Sequence, residues 1–335
     1  MKATVIVQAR SNSIRLKYKM SQDLTNLKVI EWVLRRLKRS KKVKNFVLAT
    51  TSNKLDRPLI KIAKKYNFKI FKGDEKDVLN RFFKCAKKMK LKTIVRVCAD
   101  NPFIDSNQVD RLVNEFKKKK LDYMYNNMQT VNNLNADGFG AEIFNFSSLN
   151  KAHKLAKKKS DREHVTKFIR ENNKIFKVKC LEPISGLDFP YLKFDIDTKK
   201  DLDKLRKIIL KHNIKISSSG KKIVSSIIIS QINKFLKRLF PLNRSLTGKD
   251  NYKTLSEINK LTKINIKKIP SDKKVYDWIT PREWIVKEAW IKDTKTNKKI
   301  VDFGFNNLSL VNYSSPFKGK MTGIKLKKKL HFHPH

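Results

Sequence analysis

The chain has 335 residues, of which 40% are apolar, so it can bury a sizeable core, and its length suggests two domains. Its formal net charge is +48, from 78 basic and 30 acidic residues, and only 15 of the basic residues are arginine. The lysine excess is spread along the chain without any motif for DNA or RNA, so we expect no specific nucleic-acid binding, although a basic nucleic-acid-binding protein stays an alternative.

Cysteine usage and targeting signals predict a cytoplasmic protein. Cys85, Cys98 and Cys180 are odd in number and widely spaced, as expected of reduced thiols rather than of a disulfide framework. The chain enters a strand pattern at once, without a secretion signal, and no apolar run approaches the roughly 18 residues of a membrane span. We therefore expect no membrane-spanning segment.

Strand and helix patterns alternate from the amino terminus, which predicts a parallel or mixed α/β sheet. Apolar runs predict strands at 3–7, 46–50, 69–73, 93–97 and 123–125. Apolar residues at helical spacing predict helices at 29–37, from 58, from 77 with Asp74 as N-cap, and at 105–118. An alternating segment at 192–198 predicts one more strand before a helix that starts near 201.

The loop after the first strand carries several cations. Arg10, Arg15 and Lys19 follow that strand together with small polar residues at 11–13. Ligands of open α/β sheets bind beyond the carboxyl ends of the strands, and arginine and lysine bind phosphate oxygens, so this loop suits a polyphosphate. A solvated basic loop is the alternative in so basic a chain.

The loop also resembles a known family. Residues 8–19, QARSNSIRLKYK, resemble the signature loop of the cytidylyltransferases that make CMP-activated sugars, in particular the spore coat polysaccharide biosynthesis protein F branch. The sequence departs from that pattern at Asn12, where glycine is usual, and at Lys17–Tyr18, where Pro-Gly is usual. The resemblance implies a Rossmann-like mixed sheet of the GT-A-like nucleotidyltransferase type. It implies catalytic phosphate-binding cations, namely Arg10, Arg15 and Lys19, and nucleotide-binding positions, namely Gln8, Ala9, Ser13 and Thr50.

A second candidate site follows the strand at 93–97. Asp100 comes directly after this buried strand, where a carboxylate can hold a divalent cation near phosphates, although an ordinary Asp-Asn-Pro turn is the alternative. Residues 96–105, RVCADNPFID, resemble the family's second signature, whose aspartate binds Mg²⁺. The resemblance implies that Asp100 is that ligand.

A third candidate ligand is the closing motif at 197–201. It resembles the family motif that contributes the second metal-binding carboxylate, which implies that Asp197 is a Mg²⁺ ligand. Asp195 is the competitor, because alternation along a strand places both side chains on one face. An N-cap at Asp197–Thr198 for the following helix is a further alternative.

Two more stretches resemble the family's sugar site. Residues 138–144 match its glycine- and glutamate-containing stretch, so Glu142 binds substrate hydroxyls or has a structural role, with neither favoured. Residues 162–166, REHVT, resemble a sequence motif of the family that lies near the sugar site and the subunit interface. The resemblance makes His164 a candidate substrate-binding residue. For an isolated histidine, a half-buried structural role is the alternative.

The chain changes character after a polar segment at 213–221, which we predict to be a linker between a domain at 1–212 and a region at 222–335. Residues 222–330 resemble the amino-terminal part of a zinc aminopeptidase-like family associated with polysaccharide gene clusters. The runs that carry this resemblance lie at 240–248, 275–284 and 307–314. That family's metal ligands lie further along its chain, so we expect a small α+β partial domain without peptidase activity, and only a loose metal contact from His331, His333 and His335.

These signatures together predict a nucleotidyltransferase that transfers CMP from CTP to a sugar, with an acidic sugar expected and with Mg²⁺ as cofactor. CMP-sugar and pyrophosphate are the expected products, for surface polysaccharide biosynthesis. The family resemblance implies a homodimer. Alternatives are a nucleotidyltransferase for UTP, GTP or ATP, the nucleic-acid-binding protein, and a catalytically degraded relic, which the altered loop at Lys17–Tyr18 would favour.

Overall fold

The computed structural model describes residues 3–13, 15–127, 134–244 and 248–330. The chain divides into two compact units, Met1–Ile229 and Ser230–His335. Residues 331–335 with His331, His333 and His335, residues 245–247 of the run at 240–248, and residues 128–133 lie outside the described residues.

The described part of the first unit contains a seven-stranded mixed sheet with the order β3-β2-β1-β4-β6-β5-β7. Its strands are β1 (Ala3–Gln8), β2 (Val43–Thr51), β3 (Lys69–Gly73), β4 (Thr93–Cys98), β5 (Tyr123–Tyr125), β6 (Glu142–Asn145) and β7 (Val178–Cys180). The four strands β3, β2, β1 and β4 are parallel, and β6 pairs antiparallel with both β4 and β5. This sheet confirms the predicted mixed α/β class.

Helices follow most of the strands, as the alternating pattern predicts. They are α1 (Val29–Leu37), α2 (Arg57–Lys65), α3 (Val78–Lys88), α4 (Ser106–Lys118), α5 (Phe146–Leu155), α6 (Lys159–Glu163), α7 (Lys167–Glu171), α8 (Lys199–His212) and α9 (Gly220–Leu239). Single-turn 3-10 helices lie at Lys19–Ser21 and Lys54–Asp56.

Alternation along the central strands gives the sheet two apolar faces. Val5 and Val7 of β1 belong to one buried cluster, which includes side chains of α1, α2 and α4. Ile6 belongs to another cluster, with side chains of α3 and α5. A side chain in a strand points to the opposite face from its neighbours, so one continuous apolar run serves both layers.

A third apolar cluster lies beside the sheet and involves the segments after β4 and β7. Phe103, Phe139 and Phe194 are buried in it, with ring centroids of Phe139 and Phe194 4.9 Å apart. Gly138 has a φ of +98°, and a Cβ there would lie 2.9 Å from the Phe194 Cβ. The backbone at Gly138 therefore approaches Phe194 more closely than a side chain would permit.

Two local predictions are wrong. Asp77, not Asp74, caps α3, because its carboxylate accepts the backbone N–H of Asn80 at 2.9 Å. The segment at 192–198 forms no strand. Its apolar residues are buried at alternate positions as in a strand, but the segment does not pair with any strand of the sheet. The backbone N–H of Ile196 instead donates to the carbonyl of Asp100 at 3.0 Å.

The first unit extends past residue 212, where the sequence placed a boundary. Ile214, Ile223 and Val224 are buried in the third cluster. The Arg36 guanidinium donates to the carbonyl of Ile216 at 3.0 Å, and the Asp105 carboxylate accepts the backbone N–H of Gly220 at 2.6 Å. These contacts hold much of the predicted linker against the first unit.

The second unit has short elements and little burial in its described part. They are α10 (Lys249–Asn259), β8 (Lys274–Val275), β9 (Trp278–Ile279), β10 (Trp290–Lys292), β11 (Lys299–Asp302) and α11 (Gly323–Lys327), with a 3-10 turn at Asn307–Ser309. The strands form two antiparallel pairs, β8–β9 and β10–β11. Leu239 is the one buried apolar residue among those described from 230 to 330.

Within the described ranges, none of the helices has the length and apolar character needed to cross a membrane.

Candidate active site

The carboxyl ends of three parallel strands meet at one edge of the sheet. Gln8, the last residue of β1, aligns with Ala49 of β2 and with Cys98 of β4. The loops that follow β1 and β4 carry the predicted phosphate-binding cations and Asp100, and Thr50 lies near the end of β2. The sheet register therefore brings together segments that are up to 90 residues apart in sequence, at the edge where open α/β sheets bind ligands.

Lys19 joins the two predicted metal ligands. Its ammonium lies 3.0 Å from Asp100 Oδ2 and 3.1 Å from Asp197 Oδ1. The Lys19 side chain is 7% exposed, whereas the two carboxylates are partly exposed. Arg15 also donates to Asp197 Oδ1, at 2.9 Å, from a side chain that is 67% exposed. Four of the residues that the family signatures selected, namely Arg15, Lys19, Asp100 and Asp197, thus form one ion-pair cluster, with Arg15 at its solvent side.

The charges in this cluster affect each other. Burial lowers the pKa of Lys19, but the carboxylates of Asp100 and Asp197 outweigh burial and raise its pKa above the usual value, so the ammonium stays charged. Burial together with the charge of Asp195 raises the pKa of Asp137 to about 6. Burial is also the largest cause of the raised pKa of Asp195, to which the carboxylates of Asp197 and Asp100 add.

Magnesium fits this donor set. Among the described residues, no group of three or more His, Cys, Asp or Glu side chains is arranged to hold a metal ion. Two carboxylates are nevertheless what Mg²⁺ commonly takes from a protein, because it keeps several waters and completes its shell with substrate phosphates. Asp100 and Asp197 supply hard oxygen donors, and the position of Lys19 shows that a cation fits between them.

The first loop is held mainly by a residue that the sequence analysis missed. Asp56 is buried, and its Oδ1 accepts the backbone N–H of Ser11 at 2.6 Å. Its Oδ2 accepts the hydroxyls of Thr50 at 2.8 Å and Thr51 at 2.6 Å. In sequence, Asp56 precedes Arg57-Pro58 and suggests only a helix start, so no local signal indicates this role.

Arg10 and Asn12 of the loop contact the segment after β3. Arg10 donates to the carbonyl of Glu75 at 3.2 Å, and the Asn12 amide donates to the Glu75 carboxylate at 3.1 Å. Ser13 is partly buried, and its backbone N–H donates to the carbonyl of Ser11 at 3.0 Å. Arg10 and Asn12 therefore face the segment after β3, whereas Arg15, further along the loop, contacts Asp197.

Tyr18 takes the left-handed conformation where the family pattern has glycine. Its φ is +53° and its ψ is +31°. A residue with a Cβ adopts this region at some steric cost, which glycine avoids. The loop nevertheless places Lys19 against both carboxylates. The departure at Lys17–Tyr18 is thus accommodated by backbone strain at one residue.

Glu142 belongs to a buried polar network. The Arg96 guanidinium donates to Gln8 Oε1 at 3.2 Å and 3.1 Å and to one oxygen of Glu142. The other Glu142 oxygen accepts the hydroxyls of Tyr123, at 3.1 Å, and of Thr166. Glu142 is 1% exposed. Of the two roles open for Glu142, these contacts favour the structural one, and they also occupy the side chain of Gln8.

The remaining predicted residues lie at different depths. Thr50 is fully buried and Ala9 nearly so, and the Ala9 backbone N–H donates to the carbonyl of Ala49 at 3.3 Å. His164 is exposed at the carboxyl end of α6. The structure thus brings Arg15, Lys19, Asp100 and Asp197 together, but not His164.

A second missed residue is Arg81 of α3. Its side chain is fully buried, and its Nη1 donates to the carbonyl of Asp74 at 2.7 Å. Its Nε and Nη2 have no hydrogen-bond partner among the described residues. Burial lowers the pKa of Arg81 to about 10. A buried, incompletely bonded guanidinium next to the first loop is unusual for a purely structural residue.

A family model described as cytidylyltransferase matches residues 4–225, about two thirds of the chain. The chain belongs to the cytidylyltransferase family. An uncharacterized protein of Methanocaldococcus jannaschii is 39% identical over 201 residues, which are 60% of this chain and 80% of that protein. The spore coat polysaccharide biosynthesis protein SpsF of Bacillus subtilis is 29% identical over 226 residues, which are 66% of this chain and 91% of SpsF.

Solved structures agree with the family assignment. A cytidylyltransferase from Leptospira borgpetersenii superposes with a TM-score of 0.64 at 27% identity, over 74% of this chain and 100% of that one. The predicted nucleotidyltransferase fold is therefore confirmed, and this cytidylyltransferase is an enzyme of that class.

A second family model and a third relative match a smaller part of the chain. A model of a domain of unknown function, DUF2172, matches residues 283–335. A protein of Clostridium acetobutylicum, described as a polysaccharide biosynthesis protein with an aminopeptidase-like domain, is 38% identical over 104 residues. Those residues are 31% of this chain and 24% of that protein. The resemblance to an aminopeptidase-like family is confirmed, over a small part of the relative's length.

Proposed function

We propose that this cytidylyltransferase transfers CMP from CTP to a sugar hydroxyl and releases pyrophosphate. The observation that supports this most directly is the cluster of Lys19 with Asp100 and Asp197 at the carboxyl edge of the sheet. Cations and hard-oxygen donors in one place suit a nucleoside triphosphate with its divalent cation. The relationship to SpsF supports a role in surface polysaccharide biosynthesis.

Positioning and charge neutralisation carry the reaction in this proposal. Arg10, Arg15 and Lys19 bind the β- and γ-phosphates, which places the sugar hydroxyl opposite the departing pyrophosphate and stabilises the negative charge that pyrophosphate acquires. Mg²⁺, when it is held by Asp100 and Asp197, neutralises phosphate charge and lowers the pKa of the attacking hydroxyl. Asp56 holds the backbone of the first loop, so that the cations stay in register with the phosphates.

The base would lie near the backbone of Gln8, Ala9 and Thr50. Gln8 ends β1, Ala9 follows it at the start of the first loop, and Thr50 lies near the end of β2. We further infer an acidic sugar, because the cationic loop attracts negative charge, and a homodimer, because the family resemblance implies one. Reaction in the cytoplasm belongs to the same proposal.

A thermal-unfolding panel tests the nucleotide. The full chain is heated with CTP, UTP, ATP or GTP, each with and without Mg²⁺. A ligand at a hundred times its dissociation constant adds about 2.7 kcal/mol to the free energy of unfolding. We expect a rise in Tm with CTP and Mg²⁺ and none with the other nucleotides. An equal rise with all four, or salt-sensitive duplex binding without any nucleotide effect, contradicts the proposal.

Pyrophosphate release tests the reaction. The protein is incubated with CTP, Mg²⁺ and a panel of acidic and neutral sugars, and release is measured for the wild type and for Asp100→Asn. We expect release with one acidic sugar and its loss in the variant, while CTP still raises the Tm of that variant. If Asp100→Asn retains full turnover, the assignment of Asp100 as a metal ligand is wrong.

A further inference from the structure

The Lys19 ammonium occupies the position between the two proposed metal ligands. It lies 3.0 Å from Asp100 Oδ2 and 3.1 Å from Asp197 Oδ1, and its side chain is 7% exposed. Only part of each carboxylate faces solvent. The two negative charges are therefore balanced from inside the protein, mainly by a lysine that is shielded from solvent.

A divalent ion and this ammonium compete for the same oxygens. Mg²⁺ binds carboxylate oxygens at about 2.0–2.1 Å and tolerates little departure from octahedral geometry. The oxygens of Asp100 and Asp197 that would coordinate a metal ion already contact the Lys19 ammonium. A metal ion bound by both carboxylates would therefore lie close to this ammonium, and the two positive charges would repel each other strongly because the site is partly buried. Metal binding by both carboxylates thus requires the Lys19 ammonium to leave.

Lys19 has the reach to leave without a change of fold. It is the first residue of a single 3-10 turn, and a flexible four-carbon stem carries its ammonium. The cationic side chains of Arg10 and Arg15 lie earlier in the same loop, so the phosphates that they bind offer the ammonium a new anionic partner. Arg15, which shares Asp197, is largely exposed and is free to turn with it.

We propose that Lys19 is the counter-cation of the metal-free site and is exchanged for the divalent ion when nucleotide arrives. The inference rests on the proposed metal site and adds to it an order of events. In the free protein Lys19 keeps divalent ions out. With nucleotide bound, the same ammonium moves to phosphate and the carboxylates accept the metal, so metal and nucleotide bind cooperatively.

Binding of Mn²⁺ to the nucleotide-free protein tests the exchange. Free Mn²⁺ is measured by electron paramagnetic resonance in titrations of the full-length wild type and of the variants Lys19→Gln, Lys19→Met and Lys19→Arg. We expect Lys19→Gln and Lys19→Met to bind Mn²⁺ about tenfold or more tightly than the wild type, because a nearby positive charge is gone. Lys19→Arg keeps the charge and is expected to stay as weak as the wild type.

Matched controls separate this inference from the metal site itself. Lys28→Gln removes a lysine that pairs with Asp23 at 2.7 Å on the surface, and it is expected to leave Mn²⁺ affinity unchanged. Asp100→Asn in the Lys19→Gln background is expected to abolish the gain. Circular dichroism confirms that each variant is folded, and the Asp100→Asn control is made in the Lys19→Met background if Lys19→Gln does not fold.

Each outcome has one meaning. If the charge-removing variants bind Mn²⁺ no better than the wild type, while Asp100→Asn weakens Mn²⁺ binding in the presence of CTP, the exchange is wrong and the metal site stands. If Asp100→Asn has no effect on Mn²⁺ binding with or without CTP, the proposed metal site itself is wrong. A gain that is equally large in Lys19→Arg also overturns the exchange, because charge would then not be its cause.

Discussion

The carboxylate of Asp56 accepts the backbone N–H of Ser11 at 2.6 Å, across 45 residues of sequence. The same carboxylate accepts both threonine hydroxyls at the end of β2, from Thr50 and Thr51. One buried side chain thus fixes the loop after β1 to the end of β2. Arg10 is next to Ser11, so the position of a cation that we propose to bind phosphate depends on a side chain from a different segment of the chain.

Replacing Asp56 by alanine is expected to lower the free energy of unfolding by about 3 kcal/mol. The substitution leaves the Ser11 N–H and two buried threonine hydroxyls without their acceptor, and each buried donor without a partner costs about 1–3 kcal/mol. Urea unfolding of the wild type and of Asp56→Ala measures the difference, with Asp56→Asn, which keeps one acceptor, as a milder variant for comparison. A loss below 1 kcal/mol for Asp56→Ala would show that the loop is held elsewhere.

The contribution of Asp56 to stability is expected to depend on pH. Burial raises the pKa of Asp56, but hydrogen bonds from Thr51, Ser11 and Thr50 outweigh burial, and the pKa is lower in the folded than in the unfolded state. The stabilisation is therefore present above the unfolded pKa, about 3.9, and is lost as the pH falls through the folded value. The Tm difference between wild type and Asp56→Asn is expected to be constant from pH 7 to pH 5 and to shrink below pH 4.

Asp56 also shows where sequence reasoning stops. Strands β1 to β5, the helices α1 to α4 and α8, and the presence of Lys19, Asp100 and Asp197 in one site could be predicted, because periodicity and short motifs indicate them. Strands β6 and β7 were not predicted, and neither were the ion pairs that Lys19 makes with the two aspartates. Asp56 has partners from two distant segments, and nothing in its neighbours along the chain signals them. The segment at 192–198 fails for a related reason. Alternating burial is necessary for a strand, but only a neighbouring strand makes it one, and the sequence does not tell which segments are neighbours.

Glu142→Gln is expected to lower the free energy of unfolding by about 3–5 kcal/mol, because it leaves the buried Arg96 guanidinium without its charge partner. Urea unfolding measures this, with Glu115→Gln, which breaks a surface pair with Lys118, as a control expected to leave the midpoint unchanged. The KM for the sugar, once the sugar is known, separates the two roles of Glu142. If Glu142→Gln is as stable as the wild type but has a strongly raised KM for the sugar, Glu142 binds substrate and its role is not structural.

Asp197 and Asp195 are expected to behave differently in paired variants. Asp197 contacts both Lys19 and Arg15, at 3.1 Å and 2.9 Å, whereas burial and the neighbouring carboxylates of Asp197 and Asp100 raise the pKa of Asp195. Asp197→Asn is expected to reduce pyrophosphate release by about a hundredfold or more, the loss typical of a main electrostatic group, and Asp195→Asn by less than about tenfold. The reverse order would make Asp195 the metal ligand.

Tyr18→Gly is expected to leave Lys19 in place and to change the free energy of unfolding by less than about 1 kcal/mol, since relief of the positive φ offsets the greater freedom of the unfolded chain. Tyr18→Val places a β-branched side chain in the same conformation and is expected to cost about 1–2 kcal/mol. Thermal unfolding with and without CTP measures both. Equal loss in the two variants would mean that the tyrosine ring, not the backbone, matters.

Two truncations are expected to distinguish the sequence boundary from the structural one. A chain ending at Leu239 keeps the third apolar cluster, so we expect it to show the same rise in Tm with CTP and Mg²⁺ as the full chain. A chain ending at His212 loses Ile214, Ile223 and Val224 from that cluster, which amounts to about 4 kcal/mol or more of apolar burial.

The shorter chain also loses two polar contacts. The Arg36 guanidinium no longer reaches the carbonyl of Ile216, and the Asp105 carboxylate no longer accepts the N–H of Gly220. Both side chains are buried and charged. In the shorter chain each of them loses a hydrogen-bond partner that offsets the free-energy cost of burying its charge. We therefore expect the 1–212 chain to unfold at a much lower temperature than the 1–239 chain. Equal Tm values would show that residues 213–229 do not stabilise the domain and that the segment predicted as a linker behaves as a linker in solution.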